Sequence, residues 1–297
     1  MASLKERLPD NAPGDFYVDR TCIDCDTCTR VAPGMFAAAD DHSYVARQPA
    51  SEAERLRALM ALVSCPTASI GTESHADVHP GIDAFPEPVD DDVYFLGFTS
   101  EDSFGAWSYL IRRPAGNVVV DSPRAAAPLM KRIEELGGAR LMFLTHRDDV
   151  ADHEEFRRRF GCDRILHADD VTAGTRGVER RLEGVEPARL ADDLVAIPVP
   201  GHTRGHAVLL YKDRYLFTGD HLAWSPARRR LVAFRDACWY SWDEQVRSME
   251  KLLDYRFEWV LPGHGSRWRA PSAEAMRSEL RRCVDWMRKT RTAGTVP

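Results

Sequence analysis

Residues 22–28 read CIDCDTC, and Cys65-Pro66 follows further along; this arrangement constrains the first part of the chain more than any hydrophobic pattern does. An iron–sulfur cube needs four thiolates converging from different directions. A tight C-x2-C-x2-C loop presents three of them, here Cys22, Cys25 and Cys28, and the remote Cys65 closes the cage. Two-cluster proteins carry a further cysteine shortly after the third, where this chain has Ala32 before Pro33. One cluster is therefore expected, and Cys25 in the middle position favours four irons over three. Zinc prefers two paired C-x2-C units to a three-plus-one set. The isolated Cys162, Cys238 and Cys283 are read as small buried side chains.

Seven cysteines in a cytosolic chain point to metal or redox chemistry before disulfides. That compartment is inferred from the opening MASLKERLPDNAPGDF, which lacks the apolar stretch of a secretory signal. No segment approaches the ~20 consecutive apolar residues of a membrane span, so a cytoplasmic location and no membrane partner are expected. A net charge of −6 argues against a nucleic-acid partner, which needs a basic face. The run Arg228-Arg229-Arg230 is expected to be a solvated loop.

The residues between 72 and 92, TESHADVHPGIDAFPEPVDDD, hold three prolines and several acids without periodicity and read as a linker, with His75 and His79 as exposed bystanders. The division expected is an iron–sulfur domain over 1–75, a linker over 76–92 and a second domain over 93–297. Before the linker lie strand-like FYVDRTC and SYVARQ and a helix from Ser51 to Val63 that opens on a Ser-x-x-Glu capping box. After it, strands and helices alternate. VYFLGF, WSYLIRR, NVVVD, RLMFLTH, CDRILH, LVAIPVP, AVLLYKD, YLFTGD and EWVLPG read as strands. Helices are expected over 125–136, 152–160, 242–255 and 272–289. The pattern is that of an α/β fold, sheets covered by helices, whose sites lie on loops beyond strand ends.

Four such ends carry histidine or aspartate: FLTHRDDVADH, VPGHTRGH, LFTGDH and VLPGHG. Imidazoles and carboxylates from separate loops can hold two cations about 3.5–4 Å apart. Residues 15–72, with CIDCDTC, the following AP and the distant CP, resemble a single-cluster bacterial ferredoxin, a small α+β domain that carries one electron at a time. Residues 93–270 resemble the metallo-β-lactamase superfamily in its glyoxalase II-like branch, which implies an αββα sandwich. Carried over by motif, the resemblance implies one metal held by His146, His202 and Asp220. It implies a second held by Asp152, His153, His264 and the bridging Asp220.

The departure lies in the first loop. Five residues, RDDVA, separate His146 from the Asp152-His153 pair where the family has three, and no histidine occupies the middle. Counting from His146, the missing ligand falls on Asp148; counting back from Asp152, it falls on Val150. Asp148 is taken as the replacement ligand, with Asp149 as the alternative, although an acid at a helix N-terminus suits Asp149 without any metal. His206 is expected to support the site rather than ligate, and His221 to be a solvated loop histidine or to line the pocket. His42 and His167 are ordinary. Trp224, Trp239, Tyr240 and Trp242 either wall an apolar pocket or pack under a long loop.

These resemblances imply a metal-dependent hydrolase of a small ester, thioester, lactone or related substrate, with Asp152 and Asp220 as the catalytic carboxylates. The expected cofactors are one 4Fe–4S cluster and two divalent metal ions, zinc or iron. The alternative is a di-iron redox enzyme acting on oxygen, nitric oxide or sulfur compounds and fed by the ferredoxin domain. Flavodiiron reductases of the same superfamily place a carboxylate in the first loop as Asp148 would. A third reading is an electron carrier with a silent binding module. A small-molecule substrate and a redox partner protein are the partners expected.

Overall fold

The computed structural model describes residues 2–292. The chain forms two compact units, one running to Leu141 and including Val150–Cys162, the other made of Met142–Asp149 and the chain from Asp163 onward.

In the first unit, strand Phe16–Val18 pairs antiparallel with Ile70–Thr72, and Phe36–Ala38 forms a hairpin with Ser43–Val45. The short helix Thr27–Val31 carries Cys28 on its buried face. Helix Glu52–Ser64 begins where expected, with the Ser51 side chain accepting from the Glu54 N–H. The Glu54 carboxylate reaches back to the Ala50 N–H at 2.7 Å, satisfying two of the donors a helix start leaves open. The helix delivers Cys65 at its C-terminal end.

The proline-rich stretch is structured. Helix His79–Asp83 has Pro80 in its first turn, where a missing N–H costs nothing, and strand Glu87–Asp90 pairs antiparallel with Val93–Phe95. Elements this short leave no periodicity, which is why the segment reads as a linker in the sequence. His79 is exposed and bonds Asp77 at 2.6 Å, as a bystander would. The antiparallel run continues through Tyr109–Ile111 and Val118–Val120, with Phe95 stacked on Trp107 at 4.1 Å. Helices Ala127–Glu135 and His153–Phe160 also belong to this unit.

The cysteine-bearing segment does not stand apart within this unit. Thr27 Oγ1 donates to the Gly105 carbonyl at 3.0 Å, and Thr99 Oγ1 to the Ser64 carbonyl at 2.7 Å. Arg124 Nη2 donates to the Val63 carbonyl at 3.1 Å, and the Arg30 guanidinium lies over the Trp107 ring at 5.3 Å.

The second unit contains the parallel pair Asp163–His167 and Arg180–Leu182 and a six-stranded sheet. That sheet runs in the order Ala188–Ala191, Leu194–Pro198, Ala207–Tyr211, Tyr215–Gly219, Trp259–Pro262 and Trp268–Arg269. Ala207–Tyr211 and Tyr215–Gly219 are buried at every position, which is why they read as unbroken apolar runs. Helices Trp242–Lys251 and Ala273–Thr292 pack through Val246, Met249, Leu280 and Val284 onto sheet residues such as Val208 and Val260. A hairpin, Ala223–Ser225 with Arg230–Val232, escapes the sequence pattern because each strand is only three residues long. Arg228 and Arg229 sit exposed at its turn, while the Arg230 guanidinium covers the Trp286 ring at 4.8 Å. No helix among the described residues is long and apolar enough to cross a membrane.

Candidate metal centres

Cys22, Cys25, Cys28 and Cys65 line one small pocket together with Val18, Thr27, Ser43 and Ser69. The loop between the cysteines turns through left-handed backbone at Asp24 and Asp26, conformations that aspartate tolerates and that swing successive thiols toward one point. All four thiols are free. The Ser43 N–H donates to Cys22 Sγ at 3.4 Å, and the Ser69 N–H to Cys65 Sγ at 3.3 Å. Burial raises the pKa of Cys22, Cys25 and Cys28, so a thiolate is disfavoured there unless a cation draws off its charge. Ala32, where a second cluster would take a ligand, is fully buried among apolar residues.

The second centre lies in the second unit. His146 follows strand Leu141–Phe143 by a short step and is fully buried. His146 Nε2 lies 3.9 Å from Asp148 Oδ2 and 3.8 Å from Asp220 Oδ2. His202 Nε2 lies 3.7 Å from the same Asp148 oxygen and 3.8 Å from the same Asp220 oxygen. Donors around one metal lie within twice the ~2.0–2.2 Å metal–ligand distance of each other, and all four separations meet that condition. His146 Nε2 and both His202 nitrogens are buried without a hydrogen bond among the described residues. Buried nitrogens in that state cost free energy unless a cation takes their lone pairs. The donor set therefore fits a metal ion.

A second group joins the first. Asp149, 1% exposed, gathers with His146 and Asp220 so that one donor atom from each lies within 4.8 Å of the others. His264 Nδ1 sits 2.8 Å from Asp220 Oδ1. A Cβ on Gly263 would lie 2.7 Å from Asp149 Oδ2 and 3.1 Å from Asp220 Oδ1, so the glycine of PGHG is what lets these carboxylates close on the loop.

This answers the question of the stretched loop differently from the sequence. Asp148 Oδ2 lies near both His146 and His202. Asp149 is not a solvated helix-start acid: it is the more deeply buried of the two, facing Asp220. Asp152 and His153 fall in the first unit, in neither donor group. Asp152 precedes helix His153–Phe160, and its Oδ2 accepts the Ala125 N–H at 2.7 Å. The sequence signal for Asp149 was its adjacency to Asp148, two consecutive acids at a strand end.

The electrostatics favour a cation. Burial pulls His146 down to about 4 against the opposing pull of Asp220, so the imidazole is neutral and its lone pair available. Burial pushes Asp220 up, but His264, His146 and His202 outweigh it and hold the carboxyl well below the ordinary range. The neighbouring His202 likewise holds Asp148 low.

Supporting residues fix the ligand loops. His206 is fully buried, stacks on His146 at 4.9 Å and accepts the Asp220 N–H at 3.3 Å through Nε2, the supporting role expected of it. His221 is not a solvated loop residue: it is fully buried, 5.7 Å from the His206 ring, and burial takes it down to about 3. Trp224 stacks on Trp268 and Trp242 meets Trp286 edge-on, so both are packing residues. Trp239 and Tyr240 are exposed, with their N–H groups on the His202 carbonyl at 2.9 and 3.1 Å. Sequence reasoning missed Asp170. This buried carboxylate accepts the Arg147 N–H, the Thr203 hydroxyl and the Gly205 N–H, tying the His146 loop to the His202 loop. Nothing in ILHADD marks it out from its neighbour Asp169.

Residues 18–72 match the family model described as the 4Fe-4S single cluster domain of Ferredoxin I. A hydroxyacylglutathione hydrolase of Cereibacter sphaeroides is 33% identical over 135 residues, 41% of this chain and 49% of that protein. One from Xanthomonas campestris is 29% identical over 140 residues, 46% of this chain and 48% of that protein. The chain thus spans about half the length of the curated relatives it matches. Among solved structures, VMB-1 aligns with a TM-score of 0.52 at 15% identity, over 69% of this chain and 97% of that one. The FIM-1 metallo-β-lactamase of Pseudomonas aeruginosa aligns at 0.50 and 16% identity, over 66% and 94%. The protein is a mixed α/β chain of the metallo-β-lactamase fold. More particularly, its residues 18–72 are similar to the single-cluster 4Fe-4S ferredoxin domain, and part of the chain is similar in sequence to hydroxyacylglutathione hydrolases.

Proposed function

We propose that the protein is a metal-dependent hydrolase of a small ester, thioester or lactone, with one 4Fe–4S cluster held by Cys22, Cys25, Cys28 and Cys65. The observation that carries this reading is the pairing of two buried imidazoles, His146 and His202, with two carboxylate oxygens, Asp148 and Asp220, at 3.7–3.9 Å. A cation there would be held by these four residues, and the neighbouring donor group is His146, Asp149 and Asp220, with His264 on the Asp220 carboxylate. Bound metal supplies an acidified water, with a pKa near 7, and a Lewis acid for the scissile carbonyl. The chain's own residues do the rest. Asp220 sits where both donor groups meet, His206 holds its backbone, and Asp170 keeps the two histidine loops in register. Trp239, exposed with its ring 6.3 Å from that of His202, offers an apolar surface for an acyl group.

The relatives named as hydroxyacylglutathione hydrolases support thioester cleavage as the first reaction to assay. The test is elemental analysis of anaerobically purified protein alongside hydrolysis of a panel of thioesters, esters and lactones. Zinc beyond the cluster iron, with turnover unaffected by reducing the cluster, is the expected result. His202→Ala protein that keeps both its metal and its turnover overturns the proposal.

One observation favours a second reading, a di-iron redox enzyme. Asp148 stands where hydrolases of this superfamily carry an imidazole, and carboxylate donors suit iron. About six irons per chain, four in the cluster and two beyond it, with oxygen consumption in place of hydrolysis, would select it.

A further inference from the structure

A half-buried arginine whose Nε has no hydrogen-bond partner among the described residues lies against the helix end that delivers Cys65. Arg124 belongs to the loop after strand Val118–Val120, in the metallo-β-lactamase part of the sequence, and its N–H bonds the Phe98 carbonyl at 2.9 Å. Its Nη2 reaches the Val63 carbonyl at 3.1 Å, in the last turn of the helix that delivers Cys65. Thr99 grips the next carbonyl, Ser64, at 2.7 Å. That helix has no basic residue in its own last turn, so these two supply the partners its C-terminal carbonyls need.

The carbonyl contact satisfies geometry and leaves the charge unbalanced. No carboxylate lies within 4 Å of the Arg124 guanidinium among the described residues, and its buried Nε has no hydrogen-bond partner there. Burial lowers the pKa of Arg124, and the two anionic groups near enough to oppose this are Cys65 and Asp152. Asp152 is itself held on the neighbouring residue, through the Ala125 N–H at 2.7 Å. A half-buried guanidinium is favoured by an anion close by, and the Cys65 side, where four thiolates would gather, can supply one. Arg30 also approaches the cradle, with its Nη2 on the Cys25 carbonyl at 2.5 Å and its guanidinium over Trp107.

We propose that Arg124 is the counter-ion of the iron–sulfur cluster, contributed by the metallo-β-lactamase part of the chain, and that Asp152 competes with the cluster for it. Reduction adds one electron to the cluster and makes or breaks no bond, so a fixed cation nearby stabilises the reduced form and a fixed anion opposes it. Removing the charge of Asp152 would release Arg124 to the cluster and raise its potential. The cluster then reports on Asp152, a residue of another part of the sequence.

This inference rests on the cluster assignment above, and the experiment separates the two. Iron content and the visible spectrum of the full-length, anaerobically purified protein test the cluster; a dithionite titration followed by electron paramagnetic resonance tests Arg124. Arg124→Gln is expected to cut the reduced-to-oxidised ratio at a fixed potential about tenfold, a fall of ~59 mV in the one-electron midpoint. Arg124→Lys should restore most of it, and Asp152→Asn should shift the midpoint upward. Thr99→Val, which loosens the same helix end without touching charge, should leave it in place. An Arg124→Gln midpoint equal to wild type overturns the proposal, as does a Thr99→Val shift of equal size. Should Arg124→Gln fail to hold a cluster, Asp152→Asn decides alone, and a midpoint at or below wild type overturns the idea.

Discussion

Gly263 leaves room for Asp149: any side chain at residue 263 would start 2.7 Å from Asp149 Oδ2, inside the contact distance of real Cβ atoms. Because Asp220 Oδ1 is only 3.1 Å from the same point, the added carbon meets both carboxylates. Gly263→Ala should therefore weaken metal binding by about 10–100-fold, the usual cost of disturbing what orients a ligand. Competition with a chelator measures it, and unaltered affinity would show that the carboxylates close by another route.

Asp170 predicts a different kind of loss. It accepts hydrogen bonds from Arg147, Thr203 and Gly205 while 1% exposed. Asp170→Ala strands these donors, at about 2–3 kcal/mol of stability. It also frees the two histidine loops from each other, so thermal melts and metal affinity should fall together. A variant that melts early yet binds metal as wild type would confine Asp170 to stability.

Asp148 separates the two functional readings. Asp148→Ala should cost more metal affinity than the ~10–100-fold typical of outer partners. Asp148→His supplies an imidazole at the same loop position and should shift preference from iron toward zinc. Metal content after growth in matched zinc and iron reads the outcome, and identical content in wild type and Asp148→His counts against a role for this oxygen in metal choice.

Glu179 makes a pH prediction remote from either centre. Burial raises its pKa, but the Arg164 side chain and N–H outweigh this and bring it down to about 2. A depressed carboxylate binds fewer protons when folded than when unfolded, so its stability contribution is complete above the unfolded value of about 4.3. It is lost as the pH falls from there toward 2. Glu179→Gln should flatten that acid limb in denaturant titrations, and an unchanged slope would mean the pair contributes nothing.

The cysteine cradle was legible in sequence because ligand spacing is local: Cys22, Cys25 and Cys28 share one loop, and Cys65 caps a helix whose start Ser51 announces. His146, His202, Asp220 and His264 were legible for the same reason, each closing a strand. In the first loop, Asp152-His153 reads as a ligand pair in sequence, while in the structure the Asp152 carboxylate accepts the Ala125 N–H and neither residue joins the two donor groups. Only three-dimensional burial distinguishes Asp149 from Asp152. Asp170, His221 and Arg124 carried no pattern at all, since their partners come from residues distant in the chain. The stretch over 76–92 hid its helix and strand because neither is long enough to show a period.

The carbonyls of Val63 and Ser64 lie in the iron–sulfur part of the sequence, yet the groups that satisfy them come from residues 99 and 124. Cutting a gene at residue 75 would thus leave one fragment with bare helix-end oxygens and the other with a stranded arginine. Neither piece is a natural module for transplantation into another protein. The electron-carrying part is better engineered by point substitution in the intact chain than by swapping it out.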